Sequence, residues 1–255
     1  GLRAGTIETT RVVDANKEEP SSGVVRTTAF HPGGGLLLTA GLDKKLRLFQ
    51  VDGLRNPKVQ TVYLQDCPVQ QASWASGGAQ VVAAGRRPHF YVYDVGGGRV
   101  ERVQGPAGAG LKSLESFAVS PGAAEGSGPS SSLLAFMGDQ GTIPLVSLHS
   151  RRAVGCLKMA GGSARCAAFV PAPGGGPTNT LLSLGSDGIV HTWDLRMPRT
   201  CVHQLVDFGN TTPTSLAVSP NGQLLATGSG SGVVNVYRAA PGGAFTAQGV
   251  AAAGL

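Results

Sequence analysis

The chain has 255 residues, 41% of them apolar, with 39 glycines and 16 prolines, a composition that suits many short strands and turns better than long helices. Its formal charge of +6 comes with only 14% charged residues, a mild basic bias compatible with an RNA-rich setting and far from a basic tail. No run of 18 apolar residues is available to span a membrane as a helix, and Cys67, Cys156, Cys166 and Cys201 lack the paired spacing of a zinc site. The chain opens on Gly1 rather than Met, with no basic-then-apolar leader, and reads as an excised piece or an incomplete gene product.

Five similar units follow in order. The first, 24–53, runs from Phe30-His31-Pro32 through an apolar strand at 36–40 to the turn Gly41-Leu42-Asp43 and ends at Phe49. The second, 67–95, has Trp74-Ala75-Ser76, a strand at 81–84 and the turn Gly85-Arg86-Arg87, ending at Tyr93-Asp94. In the third, 111–148, Val119-Ser120-Pro121 leads into a Gly/Ser-rich loop at 122–132, a strand at 133–136 and the turn Gly138-Asp139-Gln140, ending at Val146. This copy is eroded, and Pro144 within it demands an edge or a bulge. The fourth, 163–195, has Phe169-Val170-Pro171, a second inserted loop at 171–177, a strand at 181–184 and the turn Gly185-Ser186-Asp187 before Trp193-Asp194. The fifth, 213–238, passes from Val218-Ser219-Pro220 through 224–227 and Ser229-Gly230-Ser231 to Tyr237.

The first landmarks lie 44, 45, 50 and 49 residues apart, and each turn opens eight residues before the terminal large side chain. Runs of four or five apolar residues are too short for helices and suit strands covered on both faces. The strand after each turn is rich in β-branched and aromatic residues, and Asp187-Gly188 is a hairpin signal. Units of this length ending in Trp-Asp are the WD-repeat signature. The spacing therefore predicts one all-β WD40-type β-propeller over 1–255, with five recognisable blades.

A narrower likeness rests on Gly41-Leu42-Asp43, Leu48-Phe49-Gln50-Val51-Asp52-Gly53 and Asn56-Pro57-Lys58-Val59-Gln60. It continues through Phe90-Tyr91-Val92-Tyr93-Asp94, Ser116 to Pro121, Gly185-Ser186-Asp187-Gly188 and Gly232 to Tyr237. Over residues 6–238 the chain resembles the U3 small nucleolar RNA-associated protein 18 family. That resemblance implies a propeller of seven blades, and a nucleolar, non-enzymatic scaffold of the UtpB part of the small-subunit processome. Its implied partners are other processome proteins, the U3 particle and pre-ribosomal RNA, and its implied role is maturation of 18S rRNA. The alternative is a generic WD-repeat adaptor that binds peptides of an unrelated complex.

No catalytic constellation stands out. The runs at 33–35, 96–98 and 174–176 lack the Lys-Ser/Thr of a P-loop and read as turns. Gly228 to Gly232 places Gly230 where a nucleophile elbow needs Ser. His31, His89, His149, His191 and His203 are isolated in sequence. A propeller enzyme would need convergent carboxylates or metal ligands at the central channel; no cofactor, metal or small-molecule substrate is expected. Asp43 and Asp187, six residues before Phe49 and Trp193, read as structural turn aspartates. Lys44, Lys45, Arg86 and Arg87 fall at equivalent turns of units one and two. They are expected to form a positive patch on one rim, able to meet RNA phosphate or an acidic partner.

Overall fold

The structure is a computed structural model and describes residues 9–106, 111–121, 132–172, 176, 178–240 and 244–246. The insertion expected at 122–132 lies, save for Ser132, outside these residues, as does most of the loop at 171–177. Twenty strands form five antiparallel four-stranded sheets with no α-helix among the described residues. Blade one is β1 (Val25–Phe30), β2 (Leu36–Gly41), β3 (Lys45–Gln50) and β4 (Lys58–Tyr63); blade two is β5 (Gln71–Ala75), β6 (Gln80–Ala84), β7 (His89–Asp94) and β8 (Arg99–Gln104). Blade three is β9 (Phe117–Val119), β10 (Leu133–Phe136), β11 (Thr142–Ser147) and β12 (Arg152–Lys158). Blade four is β13 (Ala164–Phe169), β14 (Thr180–Gly185), β15 (Ile189–Asp194) and β16 (Cys201–Val206); blade five is β17 (Pro213–Val218), β18 (Leu224–Ser229), β19 (Val234–Ala239) and β20 (Phe245–Thr246).

The predicted propeller architecture is what the chain adopts. The blades run on past the bounds read from the sequence, because each has a fourth, outer strand after its terminal large residue. These strands were hard to see because they are exposed: β8 is Arg-Val-Glu-Arg-Val-Gln with only Val103 buried. Pro144 sits where its missing N–H does least harm. The β10–β11 ladder ends at Ala135 opposite Leu145, and the β11–β12 ladder shifts register between Leu145 and Val146.

Strand alternation creates the core in layers between blades. In β3, Leu46 and Leu48 face blade two, packing with Trp74, Val81, Ala83 and Tyr93. In β7, Phe90 and Val92 face blade three and meet Phe117, Leu134 and Phe136. Trp193 joins the layer between blades three and four, and Tyr237 that between four and five. The turns that open on glycine are explained by close backbone approach. A Cβ at Gly41 would lie 2.3 Å from the carbonyl oxygen of Val24, and one at Gly85 would lie 2.3 Å from that of Pro68. The innermost strands are also tied laterally: the Gln71 amide accepts from Phe117 N–H (3.0 Å) and donates to Phe117 C=O (2.7 Å), linking blades two and three. Trp74 Nε1 donates to Ala29 C=O across blades one and two.

Candidate functional site

The axis holds a cavity of about 530 Å³ walled by all five blades, from Pro32 and Trp74 through Phe117 and Phe169 to Val218. Its polar lining comes from uncharged side chains such as Gln71, Ser73 and Ser120. The histidines are dispersed, and no group of three or more His, Cys, Asp or Glu side chains with metal-binding geometry occurs among the described residues. All four cysteines are free thiols, and burial pushes Cys67 and Cys166 up to about 11, so neither is a ready nucleophile.

Carboxylates paired across elements gather on the rim formed by the β2–β3 turns and the linkers between blades. Each linker precedes an innermost strand and lies against the face that the next sheet's third strand turns toward the preceding blade. In three blades the linker carries an acid that docks there. Glu19, ahead of β1, accepts from Thr61 Oγ1 (2.7 Å), Lys58 Nζ (3.0 Å) and Lys45 Nζ (3.1 Å), and pairs with Arg47 Nε (3.2 Å). Those donors, Thr61 foremost, hold its carboxyl well below the usual carboxylate range. Asp66, ahead of β5, accepts from the Tyr91 hydroxyl and lies 3.5 Å from Arg102 and 3.4 Å from His89. Asp207, ahead of β17 and 3% exposed, accepts from Asn235 Nδ2 (2.6 Å), Tyr237 Oη (2.6 Å) and Asn210 Nδ2 (2.7 Å). Burial alone would raise the Asp207 pKa, but the hydrogen bonds from Tyr237, Asn210 and Asn235 outweigh it and hold the carboxyl below its ordinary value. Burial and Asp66 together push the Tyr91 phenol up to about 12. Blade four has no acid at this place; its Trp193 indole donates to Ser183 Oγ at 2.8 Å.

These linker acids were not singled out in the sequence, although a signal exists: Glu19 and Asp207 stand six residues, and Asp66 five, before the innermost strand that follows. They alter the electrostatics of the expected patch. Lys44 and Arg87 do come together on one linker, donating at 3.0 Å to the carbonyls of Gln65 and Asp66 respectively. Lys45, however, is paired with Glu19, and Arg86 pairs with Glu115 at 2.7 Å. Two of the four cationic heads thus have carboxylate partners rather than standing free in solvent. Arg47, in the same hairpin, is 1% exposed and forms a 2.6 Å ion pair with Asp43.

The two turn aspartates therefore differ. Asp43 combines the turn bond from Lys45 N–H (3.3 Å) with the buried Arg47 pair. Asp187 is exposed and accepts from Ile189 N–H at 3.2 Å, beside Gly188 at φ 76°. Asp187→Ala is expected to cost only about 0.5–1 kcal/mol, the net worth of an ordinary hydrogen bond. A urea midpoint equivalent to more than about 2 kcal/mol would show that this turn carries more than its local bond.

The sequence pattern of the WD domain, G-beta repeat family matches residues 14–50 and 199–238. Those stretches hold β2–β3 of blade one and β18–β19 of blade five. The U3 small nucleolar RNA-associated protein 18 homolog of Arabidopsis thaliana is 42% identical over 237 residues, covering 93% of this chain and 41% of its own length. The homolog of Homo sapiens is 33% identical over 237 residues, 92% of this chain and 40% of its own. The probable member from Schizosaccharomyces pombe is 30% identical, over 92% and 43% respectively. Over more than nine tenths of its length the chain is similar to these U3 small nucleolar RNA-associated protein 18 relatives. It spans about two fifths of the length of the curated relatives it matches, and the matching segment is the propeller described above. The U3 small nucleolar RNA-associated protein 18 likeness thus extends across all five blades, well beyond the two stretches that the general repeat pattern finds.

Proposed function

We propose that this segment is a non-catalytic docking scaffold in nucleolar pre-rRNA processing, serving maturation of 18S rRNA beside the U3 particle and other processome proteins. The observation that carries the reading is the family likeness over more than nine tenths of the chain, to relatives named as U3 small nucleolar RNA-associated. The chemistry of the fold supports a scaffold. Glu19, Asp43, Asp66 and Asp207 hold sheets and linkers together, and among the described residues the lining of the axial cavity contains no Asp, Glu, His, Lys or Arg. General acid–base work needs such a group within reach of a substrate.

The test is affinity purification of the tagged protein from cells, with U3 RNA and the co-purifying proteins quantified. Enrichment of U3 RNA and small-subunit processome proteins is expected, and depletion of the protein should lower 18S rRNA against the large-subunit rRNA. Recovery of an unrelated complex without U3 RNA would support the generic adaptor instead.

A further inference from the structure

The opposite rim, where the third strand of each blade turns into the fourth, has a different charge pattern. Arg55 lies in the β3–β4 loop, Arg99 opens β8, Arg152 opens β12, Arg199 lies in the β15–β16 loop, and Arg238 stands near the end of β19. There is one such arginine per blade, all five are exposed, and among the described residues none of the five guanidinium groups has a hydrogen-bond or ion-pair partner. Two further arginines on this rim are paired, Arg151 with Glu101 (2.9 Å) and Arg196 with Asp194 (2.6 Å). Two acids of this rim are turned into their own loops. Asp52 accepts from the backbone N–H of Leu54, Arg55 and Asn56, and Asp94 from that of Gly96 and Gly97. Glu18 also reaches this rim, accepting from Lys58 N–H where β4 opens (2.7 Å), yet the five arginine heads stay unpaired among the described residues, whereas the β2–β3 rim interleaves its cations with Glu19, Asp43, Asp66 and Glu115.

We infer that this rim, through Arg55, Arg99, Arg152, Arg199 and Arg238, docks the sugar-phosphate backbone of single-stranded RNA. Sheets packed face to face lie about 10 Å apart, so neighbouring arginines are separated by a blade's thickness and one small anion cannot touch several. An extended polymer with a charge on every unit can. The guanidinium fork suits phosphate oxygens, and its charge persists at any physiological pH. An acidic protein segment would need apolar anchors to offset the ordering of flexible side chains. Leu54 and Met197 in the loops and Val59, Val100, Val154 and Val202 on the outer strands are exposed, so an acidic segment is the competing occupant that the polyglutamate arm below tests. Contacts to phosphate carry no sequence information, so binding through these arginines is indifferent to sequence. The inference rests on the processing reading above, which supplies RNA as the surrounding polyanion.

The experiment measures binding of the purified full chain to a 30-nucleotide oligouridylate across a salt series, by fluorescence anisotropy. Each phosphate neutralised contributes about −0.7 to the slope of log affinity against log salt. The triple variant R99Q/R152Q/R199Q should flatten the slope by about 2 units. The control R86Q/R87Q, on the other rim, should leave it unchanged. Equal melting midpoints for all three proteins would exclude misfolding, and R99K/R152K/R199K should restore the slope because charge, more than geometry, sets it. An unmoved slope in the triple variant overturns the assignment. So does loss of slope in the control alone, or binding of polyglutamate in place of oligouridylate. U3 RNA recovered with the triple variant from cells would leave the processing reading standing while the rim assignment falls; U3 RNA absent even with the unmodified protein would remove the processing reading itself.

Discussion

Asp207→Ala destabilises the propeller by about 3–5 kcal/mol. Three donors converge on this carboxylate, from Asn210, Asn235 and Tyr237, and all three residues are buried. Each buried donor left without an acceptor costs about 1–3 kcal/mol, and some relaxation or water entry reduces the sum. A domain with a total stability of about 5–15 kcal/mol would feel this strongly. Urea unfolding measures it, and a shift below about 1 kcal/mol would mean that the three donors find other partners. The pH dependence has a definite sign. Because the folded carboxyl titrates below its unfolded value, its contribution is complete above about pH 4 and is lost as pH falls through the folded pKa. Asp207→Asn should therefore be less stable than the parent near pH 7, and the two should converge as the solution is acidified below about pH 4.

Asp43→Ala should cost a similar amount, about 3–5 kcal/mol, because it strips a buried guanidinium of its nearest counter-charge. Burial disfavours the charged Asp43 carboxyl, yet Arg47 beside it holds its pKa below the ordinary value. The decisive comparison is with the double variant D43A/R47M. Replacing both members of a buried pair with apolar groups is close to neutral, so the double variant should recover much of the loss. A double variant less stable than D43A would show that Arg47 is retained mainly through Glu19. The contrast with Asp187→Ala is informative in itself. The same turn position, at the same offset from a terminal aromatic, differs several-fold in cost because only blade one buries an arginine against it.

That contrast also marks how far the sequence could be read. The blades were legible because short apolar runs and a fixed eight-residue offset follow directly from strand burial and turn geometry, and Pro144 behaved as its missing N–H requires. The outer strands were not legible, since strands such as β8 and β16 expose most of their residues and so lose the apolar signal. Lys44 and Arg87 meet on one linker, but the carboxylates that pair with Lys45 and Arg86 were missed. Glu19 lies 26 residues before Lys45 and Glu115 lies 29 after Arg86, in linkers whose polarity looks ordinary for a loop. The opposite row of arginines was hidden for a related reason. Arg55 and Arg199 sit inside loops while Arg99 and Arg152 open strands and Arg238 lies near the end of one, so no common sequence context joins them until the sheets align them.

The linker acids bear on how such a chain is made. Glu19 meets Lys45 across 26 residues, Asp66 meets Tyr91 across 25, and Asp207 meets Asn235 and Tyr237 across 28 and 30. In every case the acid is synthesised first. When the third strand of a blade leaves the ribosome, the carboxylate it will bind has already emerged, and the loop to be closed is short. Each of these blades can therefore be pinned along its trailing face before the next is translated, and its polar interior need not wait for a later neighbour. Residues 13–22 do this for blade one, where Asn56 also donates to Val13 C=O and Lys58 N–H to Glu18. Assembly of the propeller then becomes directional, running in the order of translation and leaving one unfinished sheet face at a time.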